Sequence, residues 1–234
     1  MKRPRRLWGC LLILLVFVLA LAGGAAWLWR QAHATPVWYS PPDPGAQPVA
    51  TLAETVEYRM TEEFQKIRGE DIWTLRILEE QINAWLAARL PEWIDHEPDL
   101  NWPGEFGIPQ IRVDGRGIDL AVPVGVGDRS AVLIARLAPE IVGGQLHLNL
   151  EQAGIGRLSL PGEPAERLMS AIEQVAPGGA LDDEAVRRLL GVLSGEEGIS
   201  SLVDLSDGRR VELLDLTLGD GMIEITSRTL PPEP

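Results

Sequence analysis

The chain has 234 residues, 45% of them apolar and 24% charged, with 21 basic and 34 acidic side chains. The charges in residues 1–30 are Lys2, Arg3, Arg5, Arg6 and Arg30, which leaves residues 31–234 with 16 basic against 34 acidic groups and a net charge of −18. A surface of that sign repels phosphate backbones and anionic lipid headgroups and sets nucleic acid aside as a partner, and the single cysteine, Cys10, leaves the rest of the chain no disulfide framework and no thiolate metal site.

Met1–Arg6 is a basic flank, and Leu7–Trp29 is a run of 23 uncharged residues. As a helix the run spans about 34 Å, enough for a hydrocarbon core of about 30 Å. Trp8 stands at one end and Trp27, Trp29, Trp38 and Tyr39 at or beyond the other, where amphipathic rings settle at the headgroups. The expected layout is therefore a single-pass transmembrane helix at the cell membrane, with the basic flank in the cytoplasm and residues 49–234 extracytoplasmic. A cleaved signal peptide is the rival, because Ala20-Leu21-Ala22 and Ala32-His33-Ala34 look like small-residue cleavage sites. The length of the run and the tryptophan pair favour retention. Cys10 precedes the apolar run rather than following it, which argues against a lipid-modified cysteine.

Residues 30–48 contain five prolines in Thr35–Pro48 and predict a semi-rigid extended spacer, lifting the domain off the bilayer or docking Trp38 and Tyr39 at its surface. Leu52, Val56, Met60, Phe64 and Ile67 then recur at helical spacing, with Gly69 as the stop. Ile72–Ile77 predicts a short strand. Leu78, Ile82, Trp85, Leu86 and Leu90 mark the face of a second helix closed by Pro91, and the glycines and prolines of Asp95–Gln110 predict a surface loop.

Period-two alternation follows at Ile111–Val113, Ile118–Val124 and Leu146–Leu150, broken at Asp114-Gly115, Gly127-Asp128 and Gly143-Gly144. Short breaks of this composition predict hairpins, hence an antiparallel meander. Ala131–Leu137 is apolar on both faces, so it is either central or lines an apolar groove. Helices are expected over Pro164–Ala176 and from Asp183 to Leu193 with Asp182 as N-cap, and Arg210–Leu218 and Met222–Thr229 form a closing hairpin about Gly219-Asp220-Gly221. The element order predicts an α+β domain, with helices packed on a curved antiparallel sheet.

Signals for chemistry are weak. The chain has no G-x-S-x-G turn and no Walker-type loop, and Gly125-Val126-Gly127 lacks the third glycine of a dinucleotide motif. Of the three histidines, His33 lies in the tether, His147 falls on the polar side of a strand, and His96 sits in Asp95-His96-Glu97, where adjacent residues converge poorly on one ion. Asp182-Asp183-Glu184 lacks the alternating spacing of a calcium loop and suits a helix start. The expectation is no enzyme, no metal and no cofactor, a hydrolase with dispersed carboxylates ranking last. Trp73, Trp85, Trp93 and Trp102 cluster within 30 residues and form either a core corner or the lip of an apolar groove. The groove residues expected are Trp73, Trp85, Leu86, Val132 and Ile134.

Three segments carry a family resemblance. In Trp73–Leu86, Glu79, Glu80, Ile82, Asn83, Trp85 and Leu86 resemble the strand-then-helix entry of YpmS-like proteins. Ile155–Pro161, leading into a helix, and Val211–Ile225 with its Gly-Asp-Gly turn are similar to later passages of that family. The resemblance implies a bacterial, single-pass, extracytoplasmic protein whose domain looks like a tubular lipid-binding fold, and it supplies no catalytic residues. It points to a binding module for lipid or another apolar ligand, against the alternative of a non-catalytic assembly protein that binds another component of the cell envelope.

Overall fold

The structure is a computed structural model that describes residues 4–68, 72–96, 105–126, 129–175, 191, 195, 198–205 and 207–231, with backbone alone at 4–13, 95, 126, 129 and 172–175. The helix expected over Asp183–Leu193 lies almost wholly outside these residues, as do Gly69, Trp102, the Gly127-Asp128 turn and the Asp182-Asp183-Glu184 cluster.

The first element, α1, is one helix over Pro4–Ala32. Leu14–Ala32 is long and apolar enough to cross a membrane, and none of that stretch is buried within the protein. Its side chains, from Leu14 at 60% exposure to Trp29 at 67%, have no protein cover, so in water they would forfeit the transfer energy that lipid supplies.

The remainder is α+β, built from strongly curled antiparallel sheet as the alternation implied, but in two ladders rather than one. The four-stranded ladder runs β1(Ile72–Leu78), β10(Met222–Leu230), β9(Arg210–Gly219), β8(Leu202–Asp204). The other runs β2(Gln110–Asp114), β3(Gly117–Val126), β4(Arg129–Val142), β5(Gln145–Ile155), β6(Leu158–Ser159), with β7(Ile199–Ser200) also against β5. Every pairing is antiparallel. The meander of β2 to β5 is the one the turns predict. Gly143 and Gly144 both take positive φ, the conformation a tight two-residue hairpin needs. The pairing of β1 with β10 joins Leu75 to Ile225 across most of the domain.

In β1, Trp73, Leu75 and Ile77 point inward and form a cluster with Val211. Met60 and Phe64 of α2(Gln47–Gln65) and Ile82 of α3(Glu79–Ala88) pack against it. Ile67, expected on the inner face of α2, lies beyond the helix end and is 89% exposed, because the helix stops at Gln65. Pro91 does not close a helix. Helix α3 ends at Ala88, and Pro91 sits in the first turn of α4(Leu90–His96), where its missing N–H costs no helical bond. Asp95 and His96 therefore belong to a helix rather than to the expected loop.

Strand β4 is central in its ladder, as one of the two readings of Ala131–Leu137 has it. Its Ala131, Leu133, Ala135 and Leu137 are buried with Val124, Ala153 and, from α5(Pro164–Val175), Leu168 and Ala171.

The free edge of β2 is not left open. Asn83 of α3 donates from Nδ2 to the Ile111 carbonyl at 2.9 Å and accepts the Ile111 N–H at Oδ1, 2.8 Å. One turn earlier, Glu79 Oε2 accepts the Val113 N–H at 2.7 Å. Residues four apart on a helix share a face, and residues two apart on a strand share an edge, so this pair matches alternate backbone groups of β2 and stops another strand from adding there.

Candidate functional site

Two features beyond the core have shape and chemistry. The first is an apolar cleft where α3 and α4 meet the segment 106–109, lined by Leu86, Leu90, Pro91, Ile94, Phe106, Gly107, Ile108 and Pro109, with a volume of about 170 Å³. Leu86 reaches it from the end of α3, and Pro91 and Ile94 from α4. The opposite wall is held to β3 by main-chain bonds from Gly107 N–H to the Pro123 carbonyl and from Gly125 N–H to the Glu105 carbonyl, both 2.8 Å. Among the described residues the lining has no charged side chain, so the cleft favours hydrocarbon over any ion.

The second feature is residues 33–46. They do not stand off the domain as a spacer but run over it as a strap. Arg157 donates from its backbone N–H to the Gln31 carbonyl and from Nε to the Thr35 carbonyl, each at 2.9 Å. Gln110 accepts the Ser40 N–H at Oε1, 2.7 Å, and the Arg112 guanidinium lies 5.0 Å from the Trp38 ring centroid. Tyr39 donates its hydroxyl to the Ile108 carbonyl at 2.7 Å, and burial raises its pKa. Trp38 and Tyr39 thus contact protein. Unpaired backbone in a proline-rich stretch must find partners, and here side chains of β2 and the β5–β6 turn supply them.

Beneath the strap lies an ion-pair network. Arg136 donates to Asp114 Oδ1 at 2.7 Å and to Asp119 Oδ1 at 2.9 Å, while Arg112 donates to Asp119 Oδ2 at 2.6 Å. The Arg136 hydrogen bond is the main reason the Asp114 carboxyl is lowered to about 2, with the Arg116 N–H adding to it, and the same pairing raises Arg136. Asp119, at 6% exposure, is tolerable only because two guanidinium groups neutralise it. The network ties the β2–β3 hairpin to β4. Alternation alone marks these residues as a wet strand face, which is why the sequence does not disclose it.

The five groove residues expected from the sequence are not brought together. Trp73 is in the β1 cluster, edge-on to Phe64 at 5.6 Å, with its indole N–H on Thr229 Oγ1 at 3.0 Å. Trp85 lies between α3 and α2, donating to Glu57 Oε1 at 2.9 Å, with Trp93 6.3 Å away. Val132 and Ile134 are on the strap side of β4, Ile134 sharing a row with Ala121 and Gln110. Leu86 alone of the five lines the cleft. Leu90 belongs to the helical face the spacing marks, but nothing in the sequence assigns it, Ile94, Phe106 or Ile108 to a cleft, because the segment that brings Phe106 and Ile108 across carries no periodic signal.

Of the histidines, His147 is half-buried rather than fully solvated, its Nδ1 3.0 Å from the Gly195 carbonyl. His33 Nδ1 lies 2.9 Å from the Trp29 carbonyl at the end of α1, and His96 Nδ1 lies 2.6 Å from the Glu92 carbonyl. Among the described residues no three His, Cys, Asp or Glu side chains are grouped to hold a metal ion.

The class this defines is an α+β protein of curled antiparallel sheet behind one N-terminal apolar helix fit to anchor it in a membrane. Comparison with family models gives no match, and comparison with curated proteins gives none.

Proposed function

We propose that the chain is a membrane-anchored, extracytoplasmic binding module that holds an apolar group in the cleft between α3, α4 and residues 106–109. The observation that carries this reading is the cleft's uncharged lining of Leu86, Leu90, Pro91, Ile94, Phe106, Ile108 and Pro109. Its volume of about 170 Å³ is close to that of an engineered apolar cavity of about 150 Å³ that takes up benzene. That suits a ring or a branched or terminal piece of an acyl chain, not a whole lipid. The orientation follows from Arg5 and Arg6 with their basic neighbours held in the cytoplasm. The likeness to YpmS-like proteins agrees with it.

The test uses the full chain in detergent, because the strap belongs to the folded domain and truncation at residue 49 would remove it. A photoactivatable fatty acid is expected to label peptides containing Leu86–Ile94 and Phe106–Pro109, and Ile94→Arg is expected to cut that labelling at least roughly tenfold by placing a charge in hydrocarbon. Labelling spread evenly over the domain, or unchanged in Ile94→Arg, would defeat the reading.

A further inference from the structure

At the end of α1 a second cleft, about 420 Å³, is lined by Trp27, Arg30, Gln31, Ala34 and Arg157. Its position rests on a close junction. Gly156 takes φ +60° in the β5–β6 turn, and a Cβ there would fall 2.3 Å from the Ala32 carbonyl oxygen, so only glycine lets the turn meet the helix end. The Arg157 N–H then caps the Gln31 carbonyl, and its Nε holds Thr35.

This fixes the base of the Arg157 side chain while its terminal nitrogens bond to no partner among the described residues. The Arg30 guanidinium likewise has no hydrogen bond or ion pair among them. A cation in the last turn suits the helix dipole and explains Arg30 alone. It does not explain a second guanidinium, brought from 127 positions further along the chain to the same cleft. Among the described residues no carboxylate lines the cleft, although the chain beyond residue 30 is strongly acidic. Two guanidinium groups that line one cleft without a counter-charge among the described residues repel each other and favour an anion there. Their planar donor sets match phosphate oxygens, and Trp27 supplies the amphipathic ring of a headgroup region. With Leu7–Trp29 filling about 34 Å, the cleft stands just beyond the hydrocarbon if α1 spans the bilayer.

We propose that Arg30 and Arg157 hold a phosphate anion in this cleft. The source is either the phosphodiester of a phospholipid headgroup or free phosphate. The proposal rests on α1 as a membrane span, not on the apolar cleft, so Ile94→Arg leaves it unaffected.

The experiment is native mass spectrometry of the full chain released from micelles containing either phosphatidylglycerol or a phosphate-free galactolipid. One phosphatidylglycerol adduct is expected, reduced roughly tenfold in Arg157→Gln and in Arg30→Gln, since each loses a charge-assisted hydrogen bond. Millimolar inorganic phosphate is expected not to displace it. Displacement by inorganic phosphate, with the adduct still lost in both variants, supports the phosphate site and assigns it to free phosphate. The Arg30 side chain bonds to nothing among the described residues, so Arg30→Gln tests the site with the fold intact, as an unchanged thermal melt will verify. Equal adducts in the native chain and both variants, or equal retention of galactolipid, would overturn the proposal.

Discussion

Along β4, Leu133, Ala135 and Leu137 point to one side and Val132, Ile134 and Arg136 to the other, and the two sides meet different chemistry. On the first, the partners are hydrocarbon: Val124, Ala153, Leu168 and Ala171. On the second, Arg136 is clamped by Asp114 and Asp119, and residues 35–40 are fixed nearby through Gln110, Arg112, Ile108 and Arg157. Hydrocarbon contact is non-directional and scales with area, so it contributes most of the stability and tolerates small shifts. Hydrogen bonds and ion pairs contribute less each but specify a register. The difference suggests that the first side keeps the domain folded and the second sets where the apolar helix and strap sit upon it.

That comparison can be broken in three places. The largest effect is expected from Leu133→Ala, which removes a side chain 5% exposed in the cluster with Leu168. A loss of about 2–5 kcal/mol is expected, read as a fall in the unfolding midpoint of the full chain in detergent. A loss under about 1 kcal/mol would show that the apolar side does not dominate.

A smaller effect is expected from acid. Asp114 is held at about 2 in the folded chain, whereas an unfolded aspartate titrates near about 3.9. The folded state therefore takes up this proton less readily. The contribution of the Asp114–Arg136 pair is full above about pH 4 and is lost as pH falls toward about 2. The side chain is 35% exposed, so solvent screens the pair and the loss stays modest. Asp114→Asn should flatten that part of the stability profile, and an unchanged acid limb would remove Asp114 from the network's role.

The smallest effect is expected from Tyr39→Phe, which deletes the bond to the Ile108 carbonyl for about 1 kcal/mol. Amide exchange in residues 35–40 and 106–110 should quicken while β4 and β5 stay protected. Equal loosening of β4 would mean that the strap and the core unfold as one unit.

How much was legible follows the range of the interactions. The hairpins β2–β3, β4–β5 and β9–β10 were readable because alternation and turn residues are local. Helix ends were less so: Pro91 looked like a stop and is a start, since the same ring suits either place. The tryptophan cluster and the doubly apolar strand point to a groove, yet Trp73 and Trp85 are used within the packing of β1, α2 and α3, and of the five expected residues Leu86 alone reaches a cleft. Glu79 and Asn83 were visible as a pattern, but their task on β2 was not, because the strand they serve lies some thirty residues on.

The sequence by itself determined the apolar helix, the α+β class and the antiparallel hairpins, because charge, composition and a two-residue period act within a few positions. Tertiary structure alone decided that β1 closes on β10, that the proline-rich segment is a strap rather than a spacer, and that Arg30 and Arg157 share a cleft. Each of these joins residues about seventy to more than 150 positions apart. Such contacts depend on how the sheet curls, a collective property of all the strands that no local stretch of sequence encodes.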